Sequence, residues 1–377
     1  MSVQCLGLTN CFARLEDPRI ERTKGHLLGD ILTLAVLAVI AGAEGWEDIE
    51  DFGRQKHVWL KQYLELPNGI PSHDTIARVF RALRPGEFQG ALAEWFDSLP
   101  EHLGLRCIPI DGKTLRRSHD RKTMKSALHL VCAWCLENRI VLGQQATDAK
   151  SNEITAIPEL LKRLELAGAI VTIDAMGCQR EIAAQIVDGG GDYLLAVKEN
   201  QPTLYTAMSD HFMHLHETDF AESDARKWQT NETAHGRHEQ RTYYVAALPE
   251  SMQAFTRSWK KLTSIAQVIS RVQHGDGSET SDVRYHISSR PPRVKEYAWS
   301  ARGHWGIEST LHWTLDMTFR EDECRIRKDH GPENFATLRR FVIGVLKQDK
   351  TKGSIRKKRK RAAWNNAAPL SFIQQAT

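Results

Sequence analysis

The chain has 377 residues, of which 41% are hydrophobic and 26% are charged, with a formal net charge of +4. This length allows a sizeable core and two or three domains, and these fractions exclude disorder and a membrane class for the chain as a whole. Basic residues concentrate at one end, since nine Lys and Arg against a single Asp fall between Lys347 and Arg361. Clustered positive charge predicts a polyanionic partner there.

Seven cysteines stand at spacings unlike those of a disulfide framework, which predicts a reducing compartment, the cytoplasm. Cys132 and Cys135 form a lone C-x-x-C in an apolar run, and we expect buried thiols rather than metal ligands. The most apolar stretch, residues 31–43, is too short to cross a membrane, so we predict a buried helix and no membrane association.

Helical periodicity from about residue 18 to residue 99 predicts an all-α N-terminal domain over residues 1–100. Ser72 and Asp74 are N-cap candidates for a helix that continues to residue 83, after a Pro-Asn-Gly turn. Two interpretations stay open for this unit. It is either a helix-turn-helix whose second helix reads DNA, or an ordinary amphipathic helix packed in a bundle.

Beyond residue 100 strands alternate with helices, which predicts an α/β fold over residues 101–346. The predicted strands are residues 106–111, 127–136, 139–147, 169–174 and 192–197, with helices at 154–166 and 179–187. Three strands followed by helix, strand, helix and strand is the order of an RNase H-like core. A β-rich insertion at about residues 204–290 interrupts it, helices at 296–319 and 332–346 follow, and residues 347–377 form a basic tail.

Three acidic residues stand out in this frame. Asp111 and Asp174 each end a short β-branched run that predicts a buried strand, and Glu308 lies in the helix at 296–319. Grouped carboxylates repel one another, so their arrangement makes sense if divalent cations, with Mg²⁺ the natural candidate, hold them together. Two such metals ~4 Å apart can activate an oxygen nucleophile and stabilise the leaving 3′-oxygen of a phosphodiester.

Each acid also has a simpler interpretation. Asp-Gly at Asp111 is a frequent turn after a strand, Asp174 is a candidate helix cap, and Glu308 is a candidate solvated charge. Helical spacing places His304, Glu308 and His312 on one face, so a zinc site is an alternative, although the HExxH pattern of metalloproteases is absent.

Several basic residues are candidate DNA contacts. Lys113 and Arg116 follow Asp111 closely, and Lys198 stands at the end of a predicted strand. The basic run of the tail consists of Arg356, Lys357, Lys358 and Arg359 with their basic neighbours. It is interpreted as a nonspecific phosphate clamp or, alternatively, as a solvated end.

Five motifs carry a resemblance to a known family: Asp111-Gly-Lys-Thr-Leu-Arg, Asp148-Ala-Lys-Ser-Asn-Glu, Val171-Thr-Ile-Asp-Ala-Met-Gly, Gly191-Asp-Tyr-Leu-Leu-Ala-Val-Lys and His304-Trp-Gly-Ile-Glu. They resemble the insertion-sequence transposases of the ISAs group and the H-repeat-associated proteins found beside Rhs elements in enteric bacteria. The resemblance covers nearly the whole chain. It implies a DDE-type transposase with an RNase H-like core.

Carried over residue by residue, the resemblance assigns catalysis and metal binding to Asp111, Asp174 and Glu308. The wider clan often has Tyr-x2-Arg-x3-Glu-x6-Lys around the last acid, whereas this chain has Ala301, His304, Glu308 and Leu315 there. We therefore hypothesise that Arg302 and His304 supply the missing DNA contacts. If Arg302→Ala and His304→Ala left cleavage at the transposon end unchanged, that hypothesis would be wrong.

The resemblance implies Mg²⁺-dependent cleavage and strand transfer on double-stranded DNA, both transposon ends and target, with Mn²⁺ as an alternative metal and a homodimer on DNA. Two rival functions stay open. One is a DNA-binding remnant that does not cut, and the other is an RNase H-like nuclease that releases 3′-OH ends without joining them to a second duplex.

Overall fold

The computed structural model describes residues 7–97, 106–119, 124, 126–147, 152–221, 223–234 and 236–374. Within these ranges the helices are α1 (Gly7–Phe12), α2 (Leu28–Ala41), α3 (Trp46–Gln55), α4 (His57–Leu60), α5 (His73–Ala82), α6 (Pro85–Asp97), α7 (Glu153–Leu161), α8 (Arg180–Asp188), α9 (Pro202–Glu217), α10 (Val294–Gly306), α11 (Trp313–Met317), α12 (Gly331–Gln348), α13 (Ile355–Trp364) and α14 (Ala367–Gln374). The strands are β1 (Arg106–Thr114), β2 (His129–Cys135), β3 (Ile140–Ala146), β4 (Ala169–Ile173), β5 (Asp192–Val197), β6 (Arg226–Ala234), β7 (Arg237–Ala247), β8 (Ser264–Gln273) and β9 (Glu279–Ser288).

The chain divides into two compact units that do not follow its linear order. The first unit comprises Met1–Leu103, Gly112–Ala149 and Glu308–Thr377, and the second comprises Gly104–Asp111 and Lys150–Ile307. The predicted N-terminal domain and the predicted basic tail therefore both contribute to the first unit. Two of the four points at which the chain passes between the units come directly after Asp111 and directly before Glu308.

The core of the first unit is built on two helices. Helix α2 is the apolar stretch of the sequence, and it is buried from Asp30 to Ile40 against α1, α3, α12, α13 and α14. Among the described residues, no single helix is long and apolar enough to cross a membrane, and α2 meets that test only together with α3, at a bend of 93°. Burial of an apolar helix on all sides is typical of a core element.

Helix α12 is buried along nearly its whole length and packs against α2, α5, α6 and β3. Strands β2 and β3 form an antiparallel pair, in which the thiols of Cys132 and Cys135 are buried. An ion pair lies inside this core, because both side chains of Arg340 and Glu321 are at most 2% exposed with Nη1 and Oε1 2.8 Å apart. Removing either partner would leave a buried charge uncompensated.

Helix α5 begins at the predicted turn. The Ser72 side chain accepts a hydrogen bond from the Thr75 amide, so Ser72 rather than Asp74 is the N-cap. The apolar face of α5, with Ile76, Val79 and Phe80, is buried, while Arg78 is exposed. This amphipathic helix is packed against α3 and α12, as the bundle interpretation expects, and the exposed face leaves the DNA-reading interpretation a prediction.

The second unit contains a mixed sheet in the order β1-β4-β5-β9-β8-β7-β6. Strands β1, β4 and β5 are parallel, with Ile110 opposite Ile173 and Ile173 opposite Leu195. Strand β9 pairs antiparallel with β5, and β8, β7 and β6 continue the sheet as antiparallel hairpins. The predicted β-rich insertion is therefore continuous with the sheet that carries β4 and β5.

Most predicted elements are present, with two differences. Strand β6 was not predicted, because residues 226–234 are mainly polar, and pairing with β7 supplies its stability instead. The predicted helix at 296–319 is interrupted, because α10 ends at Gly306 and Ile307–His312 is a π-helix before α11. Single π-helical turns inside α-helices occur frequently at functional sites.

Candidate active site

Asp111 and Asp174 stand at the same edge of the sheet in the second unit. They follow Ile110 and Ile173, which are paired in the parallel ladder between β1 and β4. Strand β1 continues to Thr114, so Asp111 lies within it, and the ladder brings Asp111 beside Asp174 because the residues before them are paired on strands ~4.8 Å apart. Both side chains are partly buried.

The loop after Asp174 holds that carboxylate by its own backbone. Asp174 Oδ1 accepts hydrogen bonds from the amides of Met176, at 3.0 Å, and Gly177, at 3.3 Å. A Cβ at Gly177 would lie 2.3 Å from Ile173 Cγ2, so only glycine fits this turn without a shift of its neighbours. The turn leaves Oδ2 of Asp174 as the oxygen for a ligand.

The loop after β5 is hydrogen-bonded to the loop that follows Asp174. The side-chain amide of Asn200 donates to the Ala175 carbonyl, at 2.6 Å, and that of Gln201 donates to the Cys178 carbonyl, at 2.9 Å. These residues follow β5 and join the loop after β5 to the loop that carries Asp174. Both residues follow Lys198 closely in the sequence, and their positioning role is visible only in the tertiary structure.

Helix α10 lies on the face of β4 that carries Asp174. Ile170, Thr172 and Asp174 alternate onto one face, and Ile170 packs in a cluster with Tyr297 and Ala298 of α10. His304 Nδ1 lies 3.1 Å from Thr172 Oγ1. Burial lowers the pKa of His304, although the negative charge of Asp174 acts in the opposite direction. The imidazole is therefore mainly uncharged near neutral pH, and His304 can contact DNA through a hydrogen bond rather than a full charge.

Glu308 follows His304 by four residues, within the π-helical turn, and its side chain is exposed. His312 ends that turn, and burial, together with the charges of Arg340 and Lys113, lowers its pKa to about 3. Among the described residues, no group of three or more His, Cys, Asp or Glu has the arrangement of a metal site. This holds for His304, Glu308 and His312 of the zinc alternative and equally for the trio of Asp111, Asp174 and Glu308, so neither predicted metal site is assembled among the described residues.

The donor chemistry at Asp111 and Asp174 suits a hard divalent cation. Two carboxylates at one sheet edge offer oxygen ligands, which Mg²⁺ prefers, and one Asp174 oxygen is committed to backbone amides. Asp111 and Asp174 would therefore be the residues that hold a cation such as Mg²⁺ at this edge.

The basic residues near Asp111 in sequence differ in availability. Lys113 is 8% exposed, and its Nζ lies 2.7 Å from Asp316 Oδ1 and 3.5 Å from Asp322 Oδ1. Arg116 is exposed, with Nε 3.1 Å from Asp322 Oδ2. Lys113 is thus held in a protein ion pair, whereas Arg116 can exchange its partner for a phosphate.

The other predicted DNA contacts differ in exposure. Lys198 follows β5 and is exposed, and Arg302 is exposed with Nη2 3.0 Å from Glu232 Oε2 of β6. In the basic run, Arg356 and Lys357 are exposed on α13, but Lys358 and Arg359 are buried. The segment expected to be a tail is therefore a helix with one face in the core of the first unit.

Comparison with known proteins identifies the family. A family model described as "Transposase DDE domain" matches residues 102–344, and a second, "DDE_Tnp_1-associated", matches residues 9–96. The chain belongs to the DDE transposase family. The resemblance stated from the motifs is therefore confirmed.

Curated relatives extend this family match over nearly the whole chain. "H repeat-associated putative transposase YhhI" of Escherichia coli strain K12 is 42% identical over 342 residues, 90% of each chain. "Putative transposase YncI" of Escherichia coli O157:H7 is 41% identical over 369 residues, 97% of this chain and 93% of the relative. A shorter relative from strain K12, "Inactive transposase YbfQ", is 67% identical over 54 residues, 14% of this chain and 64% of the relative.

One basic segment of this DDE transposase family member was overlooked as a candidate site. Arg325, Arg327 and Lys328 follow Cys324 and line a broad groove in the first unit. The signal was present in the sequence, since three cations fall within four residues, but the denser run on α13 drew the prediction instead.

Proposed function

We propose that this chain is a transposase that binds the ends of its own insertion sequence in the bacterial cytoplasm, cleaves the DNA and joins the freed 3′-OH to a target duplex. The observation that carries the proposal is the parallel pairing of Ile110 with Ile173, the residues just before Asp111 and Asp174, in a chain of the DDE transposase family. Acids on neighbouring parallel strands are the arrangement that metal-assisted phosphodiester chemistry needs.

Glu308 is proposed as the third acid. Helix α10 packs on the β4 face that carries Asp174, and Glu308 comes one turn after His304 in the chain. The exposed carboxylate of Glu308 carries no competing ion pair to a described Lys or Arg side chain. Within the proposal, Asp111, Asp174 and Glu308 would be the residues that hold the metal ions.

Mg²⁺, with Mn²⁺ as a substitute, would be held by these carboxylates and would supply activation of the attacking oxygen and stabilisation of the leaving 3′-oxygen. The chain's own residues perform the positioning. The backbone amides after Asp174 hold its carboxylate before substrate binds, and the side chains of Asn200 and Gln201 hold that loop by hydrogen bonds. Preorganised groups do not have to reorient during the reaction, which lowers its barrier.

Exposed cations are proposed to hold the DNA backbone. Lys198 follows β5 and comes just before Asn200 and Gln201 in the chain, Arg302 lies on α10, and Arg116 follows the Asp111 segment. Each carries an exposed charge that can reach a phosphate, and for Arg116 and Arg302 replacing the present carboxylate partner with phosphate costs little at the surface. His304 contributes a hydrogen bond within this proposal. Two DNA ends have to be paired, so we propose a homodimer on DNA.

The decisive experiment uses the full chain, a labelled duplex that carries the element's own end, and an unlabelled target duplex, with Mg²⁺ or EDTA. Asp174→Asn is the test variant, because the amide oxygen can still accept from the Met176 and Gly177 amides while the charge is lost. We expect cleavage and joining to fall by at least about 100-fold, since changes that only support a metal ligand already cost 10- to 100-fold.

Asp210→Asn is the matched control, because Asp210 is exposed on α9 and loses the same charge. It should cleave and join like the unaltered protein. Cleavage that survives Asp174→Asn would show that the active site is misassigned. Metal-dependent release of 3′-OH ends without joining would favour the nuclease function instead.

The second candidate function is a remnant that binds DNA without cutting it. The relative named "Inactive transposase YbfQ" is the observation that favours it. In the same assay, such a remnant would shift the end duplex in a gel in EDTA and in Mg²⁺ alike and would give no cleaved product.

A further inference from the structure

A broad groove in the first unit is lined mainly by residues from four parts of the chain. Its walls are the start of α3, with Trp46, the end of α5, with Arg81, the segment after β1, with Arg117, and the segment from Arg320 to Lys328. Its volume of about 1010 Å³ is large enough for an extended polymer segment rather than one side chain. None of the three proposed acids lines it.

The charge of this groove is positive. Seven Arg and Lys side chains line it, against the four acids Glu44, Glu47, Asp48 and Glu323. Arg320 accounts for two of those acids, because it forms ion pairs with Glu323 and, at 3.7 Å, with Glu44. Its charge is therefore already engaged by the protein.

Five other cations in the groove have no ion pair with a carboxylate among the described residues, namely Arg81, Arg117, Arg325, Arg327 and Lys328. Arg117, Arg325 and Lys328 are exposed. Arg327 Nε donates to the Arg117 carbonyl, at 3.2 Å, which fixes the segment after Cys324 against the segment after β1. Unpaired like charges repel one another, so a polyanion that enters the groove relieves this repulsion.

A buried arginine at the floor adds a second observation. Arg339 is 1% exposed, and its Nη1 has no hydrogen-bond acceptor among the described residues, with Glu321 Oε1 3.9 Å away. Its guanidinium lies 4.3 Å from the centre of the Phe335 ring. A buried cation without full compensation adds to the positive potential of the groove above it.

We infer that this groove binds the sugar-phosphate backbone of duplex DNA. Arginine predominates among its cations, and the guanidinium forms paired hydrogen bonds with phosphate oxygens. Trp46 is the sole Trp, Tyr or Phe among the described lining residues, and its ring already packs 5.0 Å from Phe80 and 4.9 Å from Phe335. Stacking of unpaired bases needs free aromatic faces, so the groove suits a duplex better than a single strand.

This inference rests on the proposed function, because it names a further DNA contact of the same protein, but its test is independent of cleavage. The full chain is titrated in EDTA against two 30-bp duplexes, one with the element's end and one of unrelated sequence, at several salt concentrations. The test variant is Arg325→Ala with Lys328→Ala, two exposed side chains. Each lost phosphate contact should lower the magnitude of the salt slope of log K by about 1.

The control variant is Lys162→Ala with Arg163→Ala, which removes the same charge from exposed positions after α7 in the second unit. The expected result is a slope reduced by about 2 for both duplexes in the groove variant and unchanged in the control. A slope that stays the same in the groove variant overturns the inference, as does a larger loss on single-stranded DNA or RNA than on duplex.

The two proposals fail separately in this design. If the unaltered chain cleaves its end and the groove variant binds both duplexes normally, the groove inference is wrong and the transposase function stands. If the unaltered chain does not cleave its end, and the salt slope of the groove variant is still smaller than that of the unaltered chain, the groove inference stands and the catalytic proposal is wrong. A variant with Arg325→Lys and Lys328→Ala keeps the charge at one of the two positions. It should recover about half of the salt slope that the double alanine variant loses.

Discussion

Two basic segments of the first unit differ in what their charges contact. The run from Arg356 to Arg359 is the denser in sequence, yet Lys358 and Arg359 are buried. Lys358 Nζ donates to the carbonyls of Leu346 and Asp349, and Arg359 Nε donates to the Val39 carbonyl. In the sparser segment, Arg325 and Lys328 are exposed beside a groove.

The difference teaches that charge density along the chain does not measure the charge available to a partner. Helix α13 has one face in the core, so two of its six cations stabilise the fold by capping carbonyls at the end of α12 and near the end of α2. A segment without regular secondary structure keeps its cations at the surface. The following predictions test this division, from the largest expected effect to the smallest.

Lys358→Met should destabilise the protein by about 3–5 kcal/mol, because it leaves a buried charge without its partner. The Asp349 carboxylate is fully buried with Lys358 Nζ 3.1 Å away. Burial alone would raise the pKa of Asp349, but hydrogen bonds from Thr351 and Lys358 hold that pKa below its usual value. Chemical denaturation followed by circular dichroism measures the loss. Lys357→Met, one residue away and exposed, should change stability by less than about 0.5 kcal/mol.

Acid should destabilise the protein through its buried histidines. Burial first, and then the charges of His304 and Arg284, lower the pKa of His286 to about 3. The unfolded chain takes up this proton below about pH 6.5 while the folded chain does not, so stability is full above that pH and falls as pH decreases toward 3. The slope should be about 1.4 kcal/mol per pH unit for this residue.

His286→Asn removes this titration while Nδ2 or Oδ1 can still meet the Tyr297 hydroxyl, which lies 2.8 Å from His286 Nδ1. Denaturation between pH 6.5 and 4.5 should give a shallower decline in the variant. His73 is the control of opposite sign, because its hydrogen bond with Glu50 raises its pKa. Its contribution is present below the unfolded pKa and is lost as pH rises through the folded pKa. An equal decline in His286→Asn and in the unaltered chain would contradict the prediction.

Lys113→Met should reduce stability by about 1–3 kcal/mol, because Asp316 loses the cation 2.7 Å from its carboxylate. The salt slope of DNA binding should not change, since this charge is already engaged inside the protein. Arg116→Met, which is exposed, is the comparison and should show the reverse. Denaturation and salt-dependent DNA binding on both variants separate the two roles, and a lower salt slope for Lys113→Met would refute the division.

Arg356→Ala with Lys357→Ala should leave stability within about 0.5 kcal/mol of the unaltered chain, because both side chains are exposed. If these residues form the remaining part of the proposed clamp, the salt slope of duplex binding should fall by about 1 for each contact. Fluorescence anisotropy with a labelled duplex measures it. If the salt slope does not change, Arg356 and Lys357 do not contact the DNA, and the phosphate contacts of the first unit are restricted to the groove cations.

The sequence by itself determined the family and most elements, because these depend on local patterns and on motifs read along the chain. β-branched runs before Asp111 and Asp174 predicted β1 and β4, and the two acids do end up at one sheet edge. The helix that contains Glu308 was predicted too, but its π-helical turn was not, since hydrophobic periodicity does not reveal a change in hydrogen-bond register.

The tertiary structure alone decided which charges are available. In the sequence, Lys113, Lys358 and Arg325 are each one basic residue. In the folded protein, carboxylates or carbonyls surround Lys113 and Lys358 and water is excluded from them, whereas Arg325 is exposed. It also decided that Asn200 and Gln201 brace the Asp174 loop. Such contacts join residues far apart in the chain, and their strength depends on burial, which no local pattern encodes.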